Sequence, residues 1–178
     1  MVSAEEYERA AEALLSVSDS LGAGWHALNT TNARQHLCLG LRQVLRLSED
    51  SGASEVCEEA TAGGELATFT YHVIFNEAFS VPQLLFLVTK TNGSLIPLSL
   101  LHKSIPAHLV PAESDSYLWE TLSQIEHPVL HRPFFALHPC RTAELIGNMK
   151  TFSKNWLISW ISSVGPAVGL QLPVAFAN

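Results

Sequence analysis

The sequence predicts a protein of mixed class, with strands gathered in the middle of the chain and helices towards its two ends. Three observations predict it. A helix-start signal at Ser3 is followed by apolar residues at helical spacing. Residues 37–47 and 67–90 carry a period-two alternation and then a nearly unbroken apolar run, the marks of half-buried and fully covered strands. Trp156, Leu157, Trp160, Ile161 and Val164 return to a single helical face near the C-terminus.

Taken in order, Ser3-Ala4-Glu5-Glu6 is a capping box, with Val2 and Tyr7 placed for a hydrophobic staple. Tyr7, Ala11, Leu14 and Leu15 share one face, and the helix ends before Gly22. Leu37, Leu39, Leu41, Leu45 and Leu47 alternate with Cys38, Gly40, Arg42, Val44 and Arg46, which predicts a strand and makes Cys38 structural. Residues 49–65 hold six acidic residues, three glycines and no aromatic, and read as an acidic loop that leaves Cys57 exposed. Ala67, Phe69, Tyr71, Val73 and Phe75 mark a second strand, residues 79–82 a connection, and Gln83 to Lys90 a central strand. Thr91-Asn92-Gly93-Ser94 is a turn, Leu95 and Ile96 begin a short strand, and a helical turn is expected over residues 98–103. His102 and His108 have no ligand-like partners and read as surface or interface residues. Residues 110–131 read as an irregular crossing segment pinned by Tyr117 and Trp119. Phe134 to Leu137 is a short apolar strand, and Gly165-Pro166 ends the last helix before a packed apolar tail over residues 168–176.

At 178 residues the chain fits a single domain, residues 1–178, with the 49–65 loop inside it. A hydrophobic content of 47% against 15% charged residues excludes global disorder. The net charge of −7 and the absence of a basic stripe argue against nucleic acid as a partner. Three cysteines without metal-site spacing fit a reducing compartment better than a disulfide framework. Glu5, Glu6 and Glu8 stand where a secretory signal needs positive charge, and polar residues interrupt the apolar stretch from Trp156 to Ala177. A cytoplasmic protein without stable membrane insertion is expected.

The chemistry gathers at Leu137-His138-Pro139-Cys140-Arg141-Thr142. Proline fixes its own φ and holds His138 extended, so Cys140 sits at a defined place between a strand and a helix. Arg141 and the positive end of a helix over residues 143–149, with Thr142 as N-cap and Glu144 in its first turn, favour the thiolate. The alternative is a small buried residue that follows a strand. A protease would need a histidine base that Pro139 makes hard to align. A dithiol oxidoreductase would need a second nearby cysteine, and zinc would need more ligands at the right spacing. Acyl carriage as a thioester requires nothing that the sequence lacks.

These residues resemble the active-site signature of the autophagy E2-like conjugating enzymes. Tyr71-His72-Val73-Ile74-Phe75 and Phe79-Ser80-Val81-Pro82-Gln83-Leu84-Leu85-Phe86 are similar to the family's paired central strands. Residues 159–173, with Trp119-Glu120-Thr121 and Glu126-His127-Pro128, resemble one branch of it. The resemblance covers roughly residues 67–178; the first third is compatible with it. It implies an α+β fold related to ubiquitin-conjugating enzymes, a central antiparallel sheet flanked by helices. It implies that Cys140 accepts a ubiquitin-like modifier, autophagy-related protein twelve, from the E1-like autophagy-related protein seven. The modifier then passes to a lysine of the acceptor, autophagy-related protein five, bound directly. No cofactor or metal is implied, since ATP is consumed by the activating enzyme.

The resemblance makes Cys140 the nucleophile, His138 and Pro139 shapers of its loop, Thr142 the cap of the next helix, and Tyr71 and Phe79 candidate acceptor-docking residues. His138 has an equal alternative, a local hydrogen bond remote from the chemistry. Two departures stand out. The branch usually has tyrosine where Phe79 stands, and Cys140 occupies the slot after His-Pro where ubiquitin-conjugating enzymes place asparagine, so the oxyanion stabiliser is unassigned. Two alternatives stay open: the sibling enzyme that lipidates autophagy-related protein eight, and a catalytically silent binding module of the same fold.

Overall fold

The computed structural model describes residues 2–28, 36–47, 66–97, 122–139 and 142–177. The acidic loop with Cys57, the expected helical turn at 98–103, His102, His108 and Trp119 lie outside the described residues.

Six strands form one antiparallel sheet: β1 (His26–Ala27), β2 (Leu39–Arg46), β3 (Leu66–Asn76), β4 (Val81–Lys90), β5 (Leu122–Glu126) and β6 (Pro133–Leu137), in the order β1-β2-β3-β4-β6-β5. Among the described residues, three α-helices join it: α1 (Ala4–Leu21), α2 (Thr142–Phe152) and α3 (Trp156–Val164), with 3-10 turns at Gly165–Val168 and Val174–Ala177. This is an α+β fold, as expected.

The start of α1 is built as its sequence predicts. Ser3 Oγ accepts from the Glu6 N–H at 3.1 Å, and Glu6 Oε2 accepts from the Ser3 N–H at 2.9 Å. Gly22 ends the helix in the left-handed region, φ +61°. The buried face of α1 carries Tyr7, Ala10, Ala11 and Leu14. It joins Ile146 of α2, Leu157, Trp160 and Ile161 of α3, and the inward residues Phe69, Tyr71, Val73, Leu84, Phe86 and Val88 of β3 and β4 in one large core. Burying a leucine-sized side chain is worth about 2 kcal/mol. An exposed ion pair such as Lys150–Glu6 is worth about 1 kcal/mol at most. The apolar stripes therefore hold the helices in place, and the ion pair only trims the fit.

Among the described residues, the helices flank the sheet on one face. The other face carries a smaller cluster of Cys38, Ile74, Leu85, Leu87, Phe134 and Ala136, against which Leu28, Ile125, Val129 and Leu130 pack. Residues 81–88 are buried throughout, because β4 lies between β3 and β6 with a core on each side.

Three boundaries differ from the sequence expectation, and one helix end falls where expected for another reason. The 110–131 stretch contains β5, which pairs along all of β6 from Leu122↔Leu137 to Glu126↔Pro133. Val81 and Pro82 belong to β4, opposite Asn76 and Phe75, so the β3–β4 connection is only residues 77–80. Leu95 makes a single bridge to Thr89 and no strand. Gly165 does not end α3 as a left-handed terminator: its φ is −59°, and the chain tightens into the 3-10 turn before Gly169 turns at φ +79°. Gly165 is required by proximity instead. A Cβ there would stand 2.7 Å from Leu170 O, the carbonyl of the residue whose N–H donates to Gly165 O at 2.9 Å.

Candidate functional site

β6 ends at Leu137, and the chain passes through His138 and Pro139 to the start of α2 at Thr142. Cys140 and Arg141 lie outside the described residues. Their flanks are set. Pro139 is buried and His138 exposed, so the loop is anchored by the proline and presents the imidazole outward. Thr142 is buried and is the first residue of α2 rather than its cap, and the helix runs on to Phe152.

The loop is tied to the β3–β4 hairpin by a chain of amides. Gln83 Nε2 donates to Leu137 O at 3.2 Å, and Asn76 Nδ2 donates to Gln83 Oε1 at 2.9 Å. Asn76 Oδ1 in turn accepts from the Phe79 N–H at 3.2 Å. The Phe79 ring meets the His138 ring edge to face, with centroids 5.8 Å apart. Two expected site residues, Phe79 and His138, are thus brought into contact. Phe79 is 47% exposed and free to meet a partner as well. The turn that carries it is tight: Ser80 takes φ +51°, a left-handed conformation that costs a non-glycine residue about 1 kcal/mol.

Tyr71 is placed differently. It is fully buried, and its hydroxyl donates to Val168 O at 2.9 Å. Tyr71 is a core residue that fastens the C-terminal segment to the sheet, and acceptor docking at its side chain is ruled out by burial.

The sequence analysis missed a buried histidine pair on the second face. His72 and His127 lie 55 residues apart in the chain and 2.8 Å apart between Nδ1 and Nε2. Backbone N–H groups of Val129 and Leu130 donate to His127 Nδ1 at 3.1 and 3.2 Å. The proton of neutral His127 is therefore on Nε2 and is donated to His72 Nδ1. Phe134 lies against both rings, at 5.0 and 4.8 Å between centroids. Burial pushes the His72 pKa down to about 3 and that of His127 to about 4; nearby positive charge, His127 for the first and Arg132 for the second, adds to it. Gly40 stands opposite His72 and leaves its face of β2 without a side chain there.

Cys38 Sγ lies within 4.8 Å of nitrogens of the same two rings, a set whose chemistry suits a soft divalent metal. Sequence spacing could not show this gathering. The hydrogen bonds oppose metal binding. An imidazole that ligates through Nε2 ordinarily donates from Nδ1, whereas His127 Nδ1 is held as an acceptor by two backbone donors. Burial also pushes the Cys38 thiol up to about 12, so it is neither a ready thiolate ligand nor a nucleophile.

The site is thus a strand end that leads through His138 and Pro139 towards a helix start, braced by a hairpin, and the described thiol, Cys38, is not prepared for chemistry. Comparison with known proteins agrees with this class. The family model described as autophagocytosis associated protein, active-site domain, matches residues 6–175. A human protein named ubiquitin-like-conjugating enzyme ATG10 is 34% identical over 175 residues, covering 92% of this chain and 71% of that protein. Proteins of the same name from Arabidopsis thaliana and Dictyostelium discoideum are 32% and 27% identical, and the chain spans 56% and 52% of their lengths. The chain belongs to the autophagocytosis-associated active-site family and is an ATG10-like, E2-like conjugating protein of autophagy. The match reaches back through α1 and β2, well before the Ala67 start of the sequence resemblance.

Proposed function

We propose that this chain carries a ubiquitin-like modifier as a thioester on Cys140 and passes it to a lysine. The observation that carries the reading is the active-site family match over residues 6–175, which takes in the Leu137–Thr142 signature. In the first step the Cys140 thiolate attacks the thioester held by an E1-like enzyme, and the E1 sulfur leaves as thiolate. In the second an ε-amine attacks the Cys140 thioester carbonyl: the C–N bond forms, the C–S bond breaks, the amine loses a proton, and Cys140 leaves as thiolate. The family's scheme makes the modifier autophagy-related protein twelve, the donor the E1-like protein seven, and the acceptor protein five. All three named relatives are ATG10 proteins, which favours this branch over the sibling that lipidates protein eight.

In this reading Pro139 anchors the nucleophile's loop and His138, steadied by Phe79, borders it. Thr142 opens the helix whose positive end favours the thiolate. Among the described residues no helix is long and apolar enough to cross a membrane. A cytoplasmic location, where the conjugation partners would be met, is part of the proposal.

The test incubates wild type and Cys140→Ser with the activating enzyme, ATP and either modifier. Wild type should form a thiol-sensitive adduct with protein twelve, and Cys140→Ser a thiol-resistant oxyester. Absence of any thiol-sensitive adduct would leave the silent-module reading, and an adduct with protein eight alone would indicate the sibling.

A further inference from the structure

The residues just before α1 reach the turn that carries Phe79. The Val2 N–H donates to Ser80 O at 2.9 Å. Val2 is buried, and its side chain belongs to the main core. Tyr7, in the first turn of α1, fastens the same hairpin: its hydroxyl donates to Val73 O at 2.9 Å, and its ring centre lies 5.4 Å from that of Phe75. Glu6 accepts from Lys150 Nζ at 3.0 Å, and Lys150 stands on α2, the helix that follows the Cys140 loop. The start of α1 thus joins elements on both sides of that loop. The bond from Val2 falls at the strained point of the turn. Ser80 is left-handed at φ +51°, and Phe79, one residue earlier, rests its ring on His138. A non-glycine residue keeps such a backbone only where its surroundings hold it. Inside the hairpin the holds are long: the Ser80 N–H donates to Glu77 O at 3.3 Å, and the Phe79 N–H to Asn76 Oδ1 at 3.2 Å. The Val2 bond is shorter, and it comes from a residue anchored in the core.

We propose that Val2 is a positioning residue for the conjugation reaction: its N–H holds Ser80 in the left-handed turn, and the turn holds the Phe79 ring on His138, two residues before Cys140. Without that bond Ser80 returns to an extended or right-handed backbone. The preceding peptide then swings and takes Phe79 off the imidazole. The fold persists, because the apolar face of α1 stays in the core. The effect on rate rests on the thioester reading of Cys140; the hold on the two rings rests on geometry alone.

The test compares Val2→Pro, which removes the N–H, with Val2→Ala, which keeps it and trims the core. Formation of the thiol-sensitive adduct, followed against the concentration of charged activating enzyme, gives the maximal rate and the half-saturation separately. Val2→Pro should lower the maximal rate about fivefold at unchanged half-saturation, as Phe79→Ala does. The double variant should be no slower than either alone. Val2→Ala should melt at a lower temperature and keep the wild-type rate. In nuclear magnetic resonance spectra the His138 ring signals should move in Val2→Pro as they move in Phe79→Ala, and stay in place in Val2→Ala. Circular dichroism reports whether each variant is folded. If Val2→Pro is unfolded, the α-hydroxy acid of valine at position 2 puts an ester in place of the amide, removes the same N–H at constant shape, and carries the same expectations. A wild-type rate without the N–H, unmoved His138 signals, a rate loss additive with that of Phe79→Ala, or an equal rate loss in Val2→Ala would each overturn the proposal. If wild type forms no adduct, the reading of Cys140 fails on its own, and the ring signals still decide whether Val2 holds the turn.

Discussion

The ring of His127 receives two backbone N–H groups and passes its own proton to His72, so the fold accommodates both imidazoles in the neutral state. The pH dependence follows from that. In the unfolded chain both rings take up protons as pH falls through about 6.5; in the fold they resist until about 4 and about 3. Their contribution to stability is present in full above pH 6.5 and is lost as pH falls from there towards those lower values, at about 1.4 kcal/mol per pH unit for each proton taken up on unfolding. Melting temperature measured against pH should be flat above neutrality and decline below it. His72→Gln, whose amide oxygen can still accept from His127, should show a shallower decline. Equal slopes for the two proteins would refute the assignment. Nothing in the sequence around His72 announces this pair. Pro128 restricts the backbone at His127, but the partner of a buried ring is set by the fold and not by its neighbours in the chain.

At the scale of elements, the β3–β4 hairpin is the brace of the site. The side chains of Asn76 and Gln83 meet diagonally near its turn, and Gln83 donates a hydrogen bond to Leu137 O, the last residue before the His-Pro-Cys loop. Gln83→Leu keeps the bulk and removes the bond. Losing a hydrogen bond to a buried carbonyl should cost about 1 kcal/mol in urea unfolding. Adduct formation by the surviving folded protein should be slower at unchanged affinity for the activating enzyme. Phe79→Ala should slow the same step several-fold, about 1 kcal/mol, by releasing the His138 ring, whereas Phe79→Tyr keeps the ring contact and should match wild type or exceed it. The strands of this hairpin were legible because alternation is written locally. The Leu137–Thr142 signature stands out in the sequence because its residues are contiguous. β5 was not legible: Leu122 and Ile125 are its only large apolar residues, and its strand character comes from pairing with β6. The brace was not either, since Asn76, Gln83 and Leu137 are distant in sequence and individually unremarkable.

At the scale of the molecule, the three described helices pack on one face, and the C-terminal segment closes that core. Tyr71 donates to Val168 O, and Val168, Leu170 and Phe176 are buried among the helices and sheet. Gly165 is the pivot of that return. Gly165→Ala adds one methyl group within 2.7 Å of a backbone oxygen, and should destabilise by about 1–3 kcal/mol in urea unfolding without altering the φ preference at that site. Wild-type stability would show that the segment can shift away. The sequence pointed to a stop at Gly165-Pro166 but assigned it to the wrong cause, because close approach is a property of two stretches while turn propensity is a property of one.

The imidazole pair has one more consequence. The proton between His127 and His72 sits where neither ring is open to bulk water, beneath the aromatic face of Phe134. Such a proton leaves only when the second face of the sheet opens. In a nuclear magnetic resonance spectrum it should give a ring N–H signal that persists in water, and its exchange rate would be a clock for that opening. The protein thus carries its own internal probe, one that reports on the β5–β6 corner without any label.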